Sequence, residues 1–268
     1  MRLFFAACLS LFLIGCGSGD SSSDASPGAA ATPSADSLTS QAVVTKAVTA
    51  HGGPVIDTSV VTFTFRGDRF RLLHNHGRFQ YERITTDSLG QSVREVLAND
   101  SLYREVDGRP VALTDQQRAR LNTAVNSVSY FALLPHALTD PAVQSKRLGI
   151  DTIRSVPYHR VEVTFQQQGG GPDWEDRFVY WFQTETMEMN FLAYAYGLGE
   201  GDSDPGHRFR EAYNVRTVKG VRFADYINYT DSTLTPKTLE RYPDRLGSET
   251  LEEVSRIELS SISVQPSP

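Results

Sequence analysis

The sequence predicts an α+β fold in which one large, curved antiparallel sheet of about ten strands wraps one or two helices. Segments of alternating apolar and polar residues, the pattern of half-buried strands, recur along most of the chain. They follow one another directly, without the regular crossover helices that a parallel sheet requires. Two segments, Ser37–Ala50 and Asp115–Ser129, instead carry apolar residues at helical spacing.

Local signals mark the ends of both predicted helices. The first is followed by Gly52-Gly53, and glycine readily leaves the helical conformation. The second is preceded by Thr114, which stands three residues before Gln117, the spacing of a capping box. These signals limit each helix to a few turns and place strands between and after them.

Strand 61–65 shows the alternation clearly, because Val61, Phe63 and Phe65 share one face and polar side chains occupy the other. Asp-Gly at 107–108 and Lys-Gly at 219–220 predict tight turns between neighbouring strands. The other strand segments are 79–81, 93–97, 102–106, 111–113, 158–165, 176–182, 187–196, 209–218, 221–229 and 257–264.

The N-terminal residues have the pattern of an export signal. Arg2 precedes an apolar run over residues 3–14, which has the length of a signal-peptide core and is too short for a transmembrane helix. Residues 13–16 read LIGC and resemble the lipobox of bacterial lipoproteins, in which the cysteine receives the lipid. We therefore predict a signal peptide over residues 1–15, lipidation of Cys16 and attachment to a membrane.

A linker and one domain are predicted to follow. Residues 16–36 lack large apolar side chains and are rich in Ser, Ala and Gly, so we expect a lipidated N-terminus with a flexible linker. Residues 37–268 are expected to form a single domain of antiparallel strands. Gly17 differs from the aspartate of an inner-membrane retention signal, which favours the outer membrane as the location in the cell envelope.

Composition narrows the functional classes. The chain has two cysteines, Cys8 and Cys16; the predicted processing removes the first and acylates the second, so we expect no catalytic thiol. The net charge of −6 repels phosphate backbones, and we expect no nucleic-acid partner. His74 and His76 lack a third ligand at metal-site spacing. We therefore expect a monomer without a metal or cofactor.

Aromatic residues are the strongest indication of a ligand. The chain contains 14 Phe, 11 Tyr and 2 Trp, most of them in predicted strands. Strand 178–182 is apolar on both faces, so one face packs on neighbours while the other is covered by helices or lines a cavity. We predict a cavity that binds a lipid or acyl chain. The aromatic residues predicted to line it are Phe63, Phe65, Tyr81, Tyr180, Phe182 and Tyr194.

Several short motifs stand at separate positions along the predicted domain. They are His51-Gly52-Gly53, Phe65-Arg66, Tyr81-Glu82-Arg83, YFALLP at 130–135, GGG at 169–171 with Glu175-Asp176, Tyr180-Trp181 and FREAYN at 209–214. This pattern resembles a family of uncharacterised bacterial lipoproteins, a domain of unknown function. FVYWFQTET at 178–186 is similar to a strand-turn-strand segment of outer-membrane lipoprotein carrier and sorting proteins. The second resemblance implies an incomplete barrel that holds acyl chains.

Two alternatives to ligand binding stay open. His51 could form a general acid–base pair with Asp176 or Glu82, as in a hydrolase or isomerase. The domain could also be a structural or interaction module with a filled core. A dry apolar cavity favours the ligand-binding protein, a polar cleft at His51 favours the enzyme, and a filled core favours the third reading. We favour the non-enzymatic, ligand-binding protein.

Overall fold

The computed structural model describes residues 37–171, 174–199 and 205–268. The predicted signal peptide, the lipidation site Cys16 and the linker 16–36 lie outside these residues. The described elements belong to one compact unit, 34–268. They form two antiparallel sheets of seven strands each with three α-helices, which confirms the predicted α+β class. Within the described ranges, every helix is too short or too polar to cross a bilayer.

Sheet 1 contains the N-terminal strands and the last strand of the chain. Its strands are β1 (Ser59–Phe65), β2 (Asp68–Asn75), β3 (Arg78–Thr86), β4 (Ser92–Ala98), β5 (Ser101–Val106), β6 (Arg109–Val111) and β14 (Ser260–Pro266). Their order across the sheet is β14-β1-β2-β3-β4-β5-β6, so only β14 is placed beside a strand that is distant in sequence.

Sheet 2 is an antiparallel meander of the remaining strands. These are β7 (Val143–Ile153), β8 (Val156–Phe165), β9 (Arg177–Gln183), β10 (Met189–Tyr196), β11 (Gly206–Val218), β12 (Val221–Thr230) and β13 (Glu252–Ile257). They lie in the order β13-β12-β11-β10-β9-β8-β7.

The prediction of one sheet with about ten strands is corrected to two sheets with seven strands each. Two of the strands absent from the prediction are β2 and β7. In β2 the apolar alternation is limited to Phe70 and Leu72, and β7 has polar and charged residues on both faces, so neither shows an extended period-2 hydrophobic pattern. The segment predicted as one strand over 257–264 is divided between the end of β13 and β14, which belong to different sheets.

Each of the two long helices is capped by a threonine at its N-terminus. Helix α1 (Ser40–Ala50) is capped by Thr39, whose hydroxyl accepts a hydrogen bond from Ala42 N at 3.2 Å. Helix α3 (Asp115–Ala132) begins at the predicted capping box of Thr114 and Gln117. A single turn, α2 (Gly53–Ile56), and two 3-10 helices, His136–Thr139 and Leu239–Arg245, complete the described helices.

The end of α1 rests on the turn between β11 and β12. Lys219 and Gly220 have φ of 50° and 85°, as expected for the predicted tight turn. Gly52 has φ of 85°, and a Cβ atom there would lie 2.2 Å from Gly220 O. His51 O accepts a hydrogen bond from Arg222 N at 3.2 Å. Glycine at position 52 therefore permits both the chain reversal and the close approach.

Both faces of sheet 2 are covered. The inner face packs with α1 in a cluster that includes Val43, Ala47, Tyr180, Phe182 and Leu192. The outer face packs with the 3-10 helix Leu239–Arg245 in a cluster that includes Trp181, Phe209, Leu239 and Tyr242. A third cluster joins sheet 1 to β12 and includes Val61, Phe63, Phe70, Leu72 and Phe223. The aromatic residues of the central strands are therefore mostly used to fill the core.

Candidate ligand-binding cavity

A cavity of about 280 Å³ lies between the C-terminal half of α3 and the part of sheet 2 formed by β11, β12 and β13. The end of β1 and the first residue after it contribute another wall. Most of the lining is apolar and includes Phe65, Val128, Phe131, Tyr226, Ile257 and Leu259. The apolar residues from α3, which are Val128, Phe131 and Ala132, are only half-buried. This part of the protein surface therefore offers a site for an apolar group.

One cross-strand row of sheet 2 changes character where it reaches the cavity. Across β8, β9 and β10 the row consists of Val161, Tyr180 and Leu192, which are fully buried. Across β11 and β12 it continues with Arg210 and Asn228, both lining the cavity. Since directly paired residues share a face of the sheet, Arg210 and Asn228 lie on the inner face and form the polar wall of a cavity that is otherwise mostly apolar.

Arg210 is the most unusual lining residue. It is 8% exposed, and its guanidinium lies 3.8 Å from the ring centroid of Phe131 and 4.9 Å from that of Tyr194. Its Nη2 donates a hydrogen bond to the Tyr194 hydroxyl at 2.9 Å. Its Nε is buried without a hydrogen-bond partner among the described residues. The two rings hold the guanidinium plane, while part of its hydrogen-bonding capacity is unused.

Asn228 and Ser255 extend the polar wall. Asn228 is 8% exposed, and its Nδ2 donates to Ser255 Oγ at 3.2 Å. Its Oδ1 is buried without a partner among the described residues. Arg66, exposed and stacked on Phe65 with 5.1 Å to the ring centroid, also lines the cavity. The described lining thus contains two arginines and no carboxylate.

The six aromatic residues that were predicted to line the cavity lie in different parts of the structure. Phe65 lines the cavity, and Tyr194 contacts it through Arg210. The remaining four lie elsewhere. Phe63, Tyr180 and Phe182 are at most 1% exposed in the core, and Tyr81 accepts or donates a hydrogen bond with His74 Nε2 at 2.8 Å. The role of these six residues in ligand binding stays a prediction.

His51 is held by structural contacts. Its Nδ1 bonds to Ala47 O at 2.8 Å, and its Nε2 accepts a hydrogen bond from Met189 N at 3.2 Å. Burial and the charge of Arg222 lower the pKa of His51 to about 4, although the bond to Ala47 opposes this change. A neutral, fully engaged imidazole fixes the end of α1 against β10 and β12.

The carboxylates proposed as partners of His51 lie in other surroundings. Glu82 on β3 pairs with Arg71 and Arg94, each at 2.8 Å. Asp176 precedes β9, whereas His51 contacts Met189, which pairs with Phe182 at the far end of that strand. Six residues of strand, about 20 Å at roughly 3.3 Å per residue, separate the two levels. The polar site proposed from the sequence is therefore not assembled in this structure.

The two nearby histidines also take separate positions. His74 is buried on β2 with its ring centroid 5.0 Å from that of His136, and burial, followed by the charge of His136, lowers its pKa to about 4. His76 lies in the following turn with φ of 49°. Among the residues described, no group of three His, Cys, Asp or Glu side chains is arranged to hold a metal ion.

A second concavity, about 370 Å³, lies over β14, β1 and β2. It is lined by polar side chains such as Arg69 and Arg71, and Arg71 is already paired with Glu82. This concavity is mainly an open, polar surface of sheet 1. The cavity beneath α3 therefore remains the better candidate for an apolar ligand.

The fold and the cavity define a two-sheet α+β protein with a small apolar cavity that ends in a buried arginine. The chain belongs to the family of unknown function DUF6503, which matches residues 31–258. This confirms the predicted membership of a family of unknown function. A search among curated proteins finds no match.

Three solved structures illustrate the similarity to known folds. A LolA superfamily protein from Nitrosomonas europaea is 11% identical, with a TM-score of 0.47 over 87% of this chain and 96% of that chain. A lipoprotein-sorting protein domain from Vibrio parahaemolyticus is 7% identical, with a TM-score of 0.39 over 78% and 84%. The lipoprotein LppX from Mycobacterium tuberculosis is 12% identical, with a TM-score of 0.28 over 59% and 89%.

Proposed function

We propose that the protein is a lipid-anchored protein of the cell envelope that binds an acyl chain in the cavity beneath α3. The observation that carries this proposal is the apolar lining formed by residues such as Phe65, Phe131 and Ile257. Burial of a methylene group in such surroundings contributes about 0.8 kcal/mol, so a flexible chain gains affinity with length until the cavity is full.

The size of the cavity favours a single chain. Its volume of about 280 Å³ lies at the lower end of the range of roughly 300–1,000 Å³ that is usual for small-molecule sites. The three acyl chains of a mature bacterial lipoprotein would need far more space. The ligand is therefore one chain of moderate length, and the rest of the aromatic core acts as the scaffold around it.

The proposed anchor is independent of this cavity. The lipobox ending in Cys16 and the polar linker over residues 16–36 support a tether to the membrane, and Gly17 favours the outer membrane. A tethered domain with an acyl-chain site is suited to bind or present a lipid near the membrane surface.

Filling the cavity tests the proposal. Ser127 lines the cavity from α3, and its hydroxyl bonds only to the local Thr123 O at 2.7 Å among its described contacts. In the mature polypeptide from Gly17 onward, Ser127→Phe is expected to weaken decanol binding tenfold or more, about 1.4 kcal/mol, because the ring occupies the cavity. The measurement is isothermal titration calorimetry with decanol and octanol.

The matched control is Asn126→Phe, which adds the same ring at an exposed position of α3. It should bind decanol as the unmodified chain does. In the unmodified chain, octanol should bind about tenfold more weakly than decanol, since it lacks two methylene groups of about 0.8 kcal/mol each. An unmodified chain that shows no saturable binding of decanol, or equal losses in both variants, would contradict the proposed function.

A further inference from the structure

The polar end of the cavity contains a buried positive charge that has no negative partner among the described residues. Arg210 is 8% exposed, and among the described residues it forms no ion pair; its one hydrogen bond is to the neutral hydroxyl of Tyr194. A buried charge is unfavourable unless it is paired and hydrogen-bonded. The fold therefore buries the Arg210 guanidinium although its charge has no counter-ion in the described part of the chain.

A second buried arginine, Arg222, shares the unbonded Nε but differs in having a counter-ion. Arg222 on β12 is 7% exposed, but its Nε lies 3.6 Å from the carboxylate of Glu188. Its Nη2 also donates to Asn190 Oδ1 at 2.9 Å. Arg222 thus has both a counter-ion and hydrogen-bond acceptors. Both arginines bury an Nε that forms no hydrogen bond among the described residues, but Arg210 has no carboxylate partner there and its side chain lines a cavity.

The groups around Arg210 fit an anion that enters from the cavity. Asn228 is its direct cross-strand partner, and the buried Asn228 Oδ1 also lacks a hydrogen bond among the described residues. A half-turn of the Asn228 amide would let Ser255 Oγ donate to Oδ1 and present the amide NH₂ group to a ligand. Arg66 adds a second positive charge, and the described lining has no carboxylate to oppose an anion.

We infer that Arg210 and Asn228 bind the carboxylate of a fatty acid whose chain occupies the apolar part of the cavity. This inference rests on the proposed function and names the class of its ligand. A planar guanidinium donates two parallel hydrogen bonds to a carboxylate, and stacking on Phe131 and Tyr194 fixes its plane. Arg210 is the one buried cation of the described lining and balances the single negative charge of a carboxylate. A phosphate monoester brings up to two charges, and Arg66, the other arginine of that lining, is exposed.

The test compares decanoate, decanol and decyl phosphate by calorimetry on the mature polypeptide from Gly17 onward. The unmodified chain should bind decanoate about tenfold or more tightly than decanol, because a hydrogen bond to a charged group is worth more than one to a neutral group. Arg210→Met should remove this preference, so that decanoate binds no more tightly than decanol. Decyl phosphate should bind more weakly than decanoate.

Two further variants separate recognition from a structural role. Arg208→Met is the matched control: Arg208 lies two residues before Arg210 on β11 and stacks on Tyr196 at 5.5 Å, but does not line the cavity. It should retain the preference for decanoate. Asn228→Asp keeps the shape of the side chain and gives Arg210 an internal counter-ion, so decanoate binding should fall about tenfold or more while decanol binding persists.

The outcomes are distinguishable. Saturable decanol binding with no preference for decanoate overturns the carboxylate site and leaves the acyl-chain cavity standing. Equal losses in Arg210→Met and Arg208→Met assign Arg210 a structural role and also overturn it, as does tighter binding of decyl phosphate than of decanoate. Absence of binding for all three compounds contradicts the proposed function itself.

Discussion

The two ends of the cross-strand row on the inner face of sheet 2 are packed differently: one is apolar and filled, and the other is polar and borders a cavity. At the β8–β10 end, Val161, Tyr180 and Leu192 lie in the apolar cluster that includes α1 and have no exposed surface. At the β11–β12 end, Arg210 and Asn228 lie beside a cavity under α3 with polar atoms unpaired in the described structure. The first end supplies stability, and the second keeps a site that an external ligand can complete.

Removal of α1 should have the largest effect on stability, because it exposes the apolar cluster at the β8–β10 end of the row to water. Val43, Val44 and Ala47 are at most 1% exposed and belong to the inner cluster. A chain that begins at Pro54 should aggregate or lose its cooperative thermal transition, whereas a chain that begins at Ser37 should melt like the mature polypeptide. Identical melting of the two shortened chains would show that α1 is dispensable for the fold.

Single substitutions should show how much each end of the row contributes to the free energy of unfolding. Leu192→Ala creates a cavity in the filled core and should lower the free energy of unfolding by about 2–5 kcal/mol. Asn228→Ala, two strands away in the same row, should change it by about 1 kcal/mol or less, because it removes an incompletely bonded group. Urea denaturation of both variants measures the difference. Losses of similar size would mean that the two ends are equally packed.

Acid should weaken the filled end through His51. The pKa of His51 is lowered from 6.5 to about 4 in the folded protein, so the unfolded chain binds the proton more readily. The stability from neutral His51 is present above pH 6.5 and is lost as the pH falls towards 4, in total about 3 kcal/mol. Urea denaturation between pH 7 and 4 should show a smaller acid loss for His51→Gln. Parallel pH profiles would show that His51 does not couple α1 to protonation.

Local features of the fold were predictable from the sequence because they depend on a few neighbouring residues. The capping box of Thr114 and Gln117 and the turn at Lys219-Gly220 appear as predicted. The presence of both helices follows equally from apolar spacing. The missed strand β2, DRFRLLHN, shows the limit of this approach: Phe70 and Leu72 alternate with arginines, but the apolar Leu73 then lies on the outer face and the polar His74 on the buried face.

The cavity could not be located in the same way. The two apolar faces of their strand predict that Tyr180 and Phe182 line a cavity, yet those side chains fill the core. No such pattern indicates Arg210 and Asn228, which stand in segments of mixed polarity. A signal existed in the FREAYN motif, where Arg210 follows a buried aromatic residue, but an arginine on a strand is usually a solvated side chain.

The antiparallel class, the helices, the tight turns and the apolar character of the central strands follow from the amino-acid sequence, because each depends on local conformational preference or on period-2 spacing. Which residues face one another depends on the packing of the whole domain. The register aligns Leu192 with Arg210 and Arg210 with Asn228, and the packing of α3 leaves that polar pair at a cavity rather than in solvent. Register and helix placement minimise the free energy of the whole fold, and so an arginine on β11 becomes buried through contacts with residues distant in sequence.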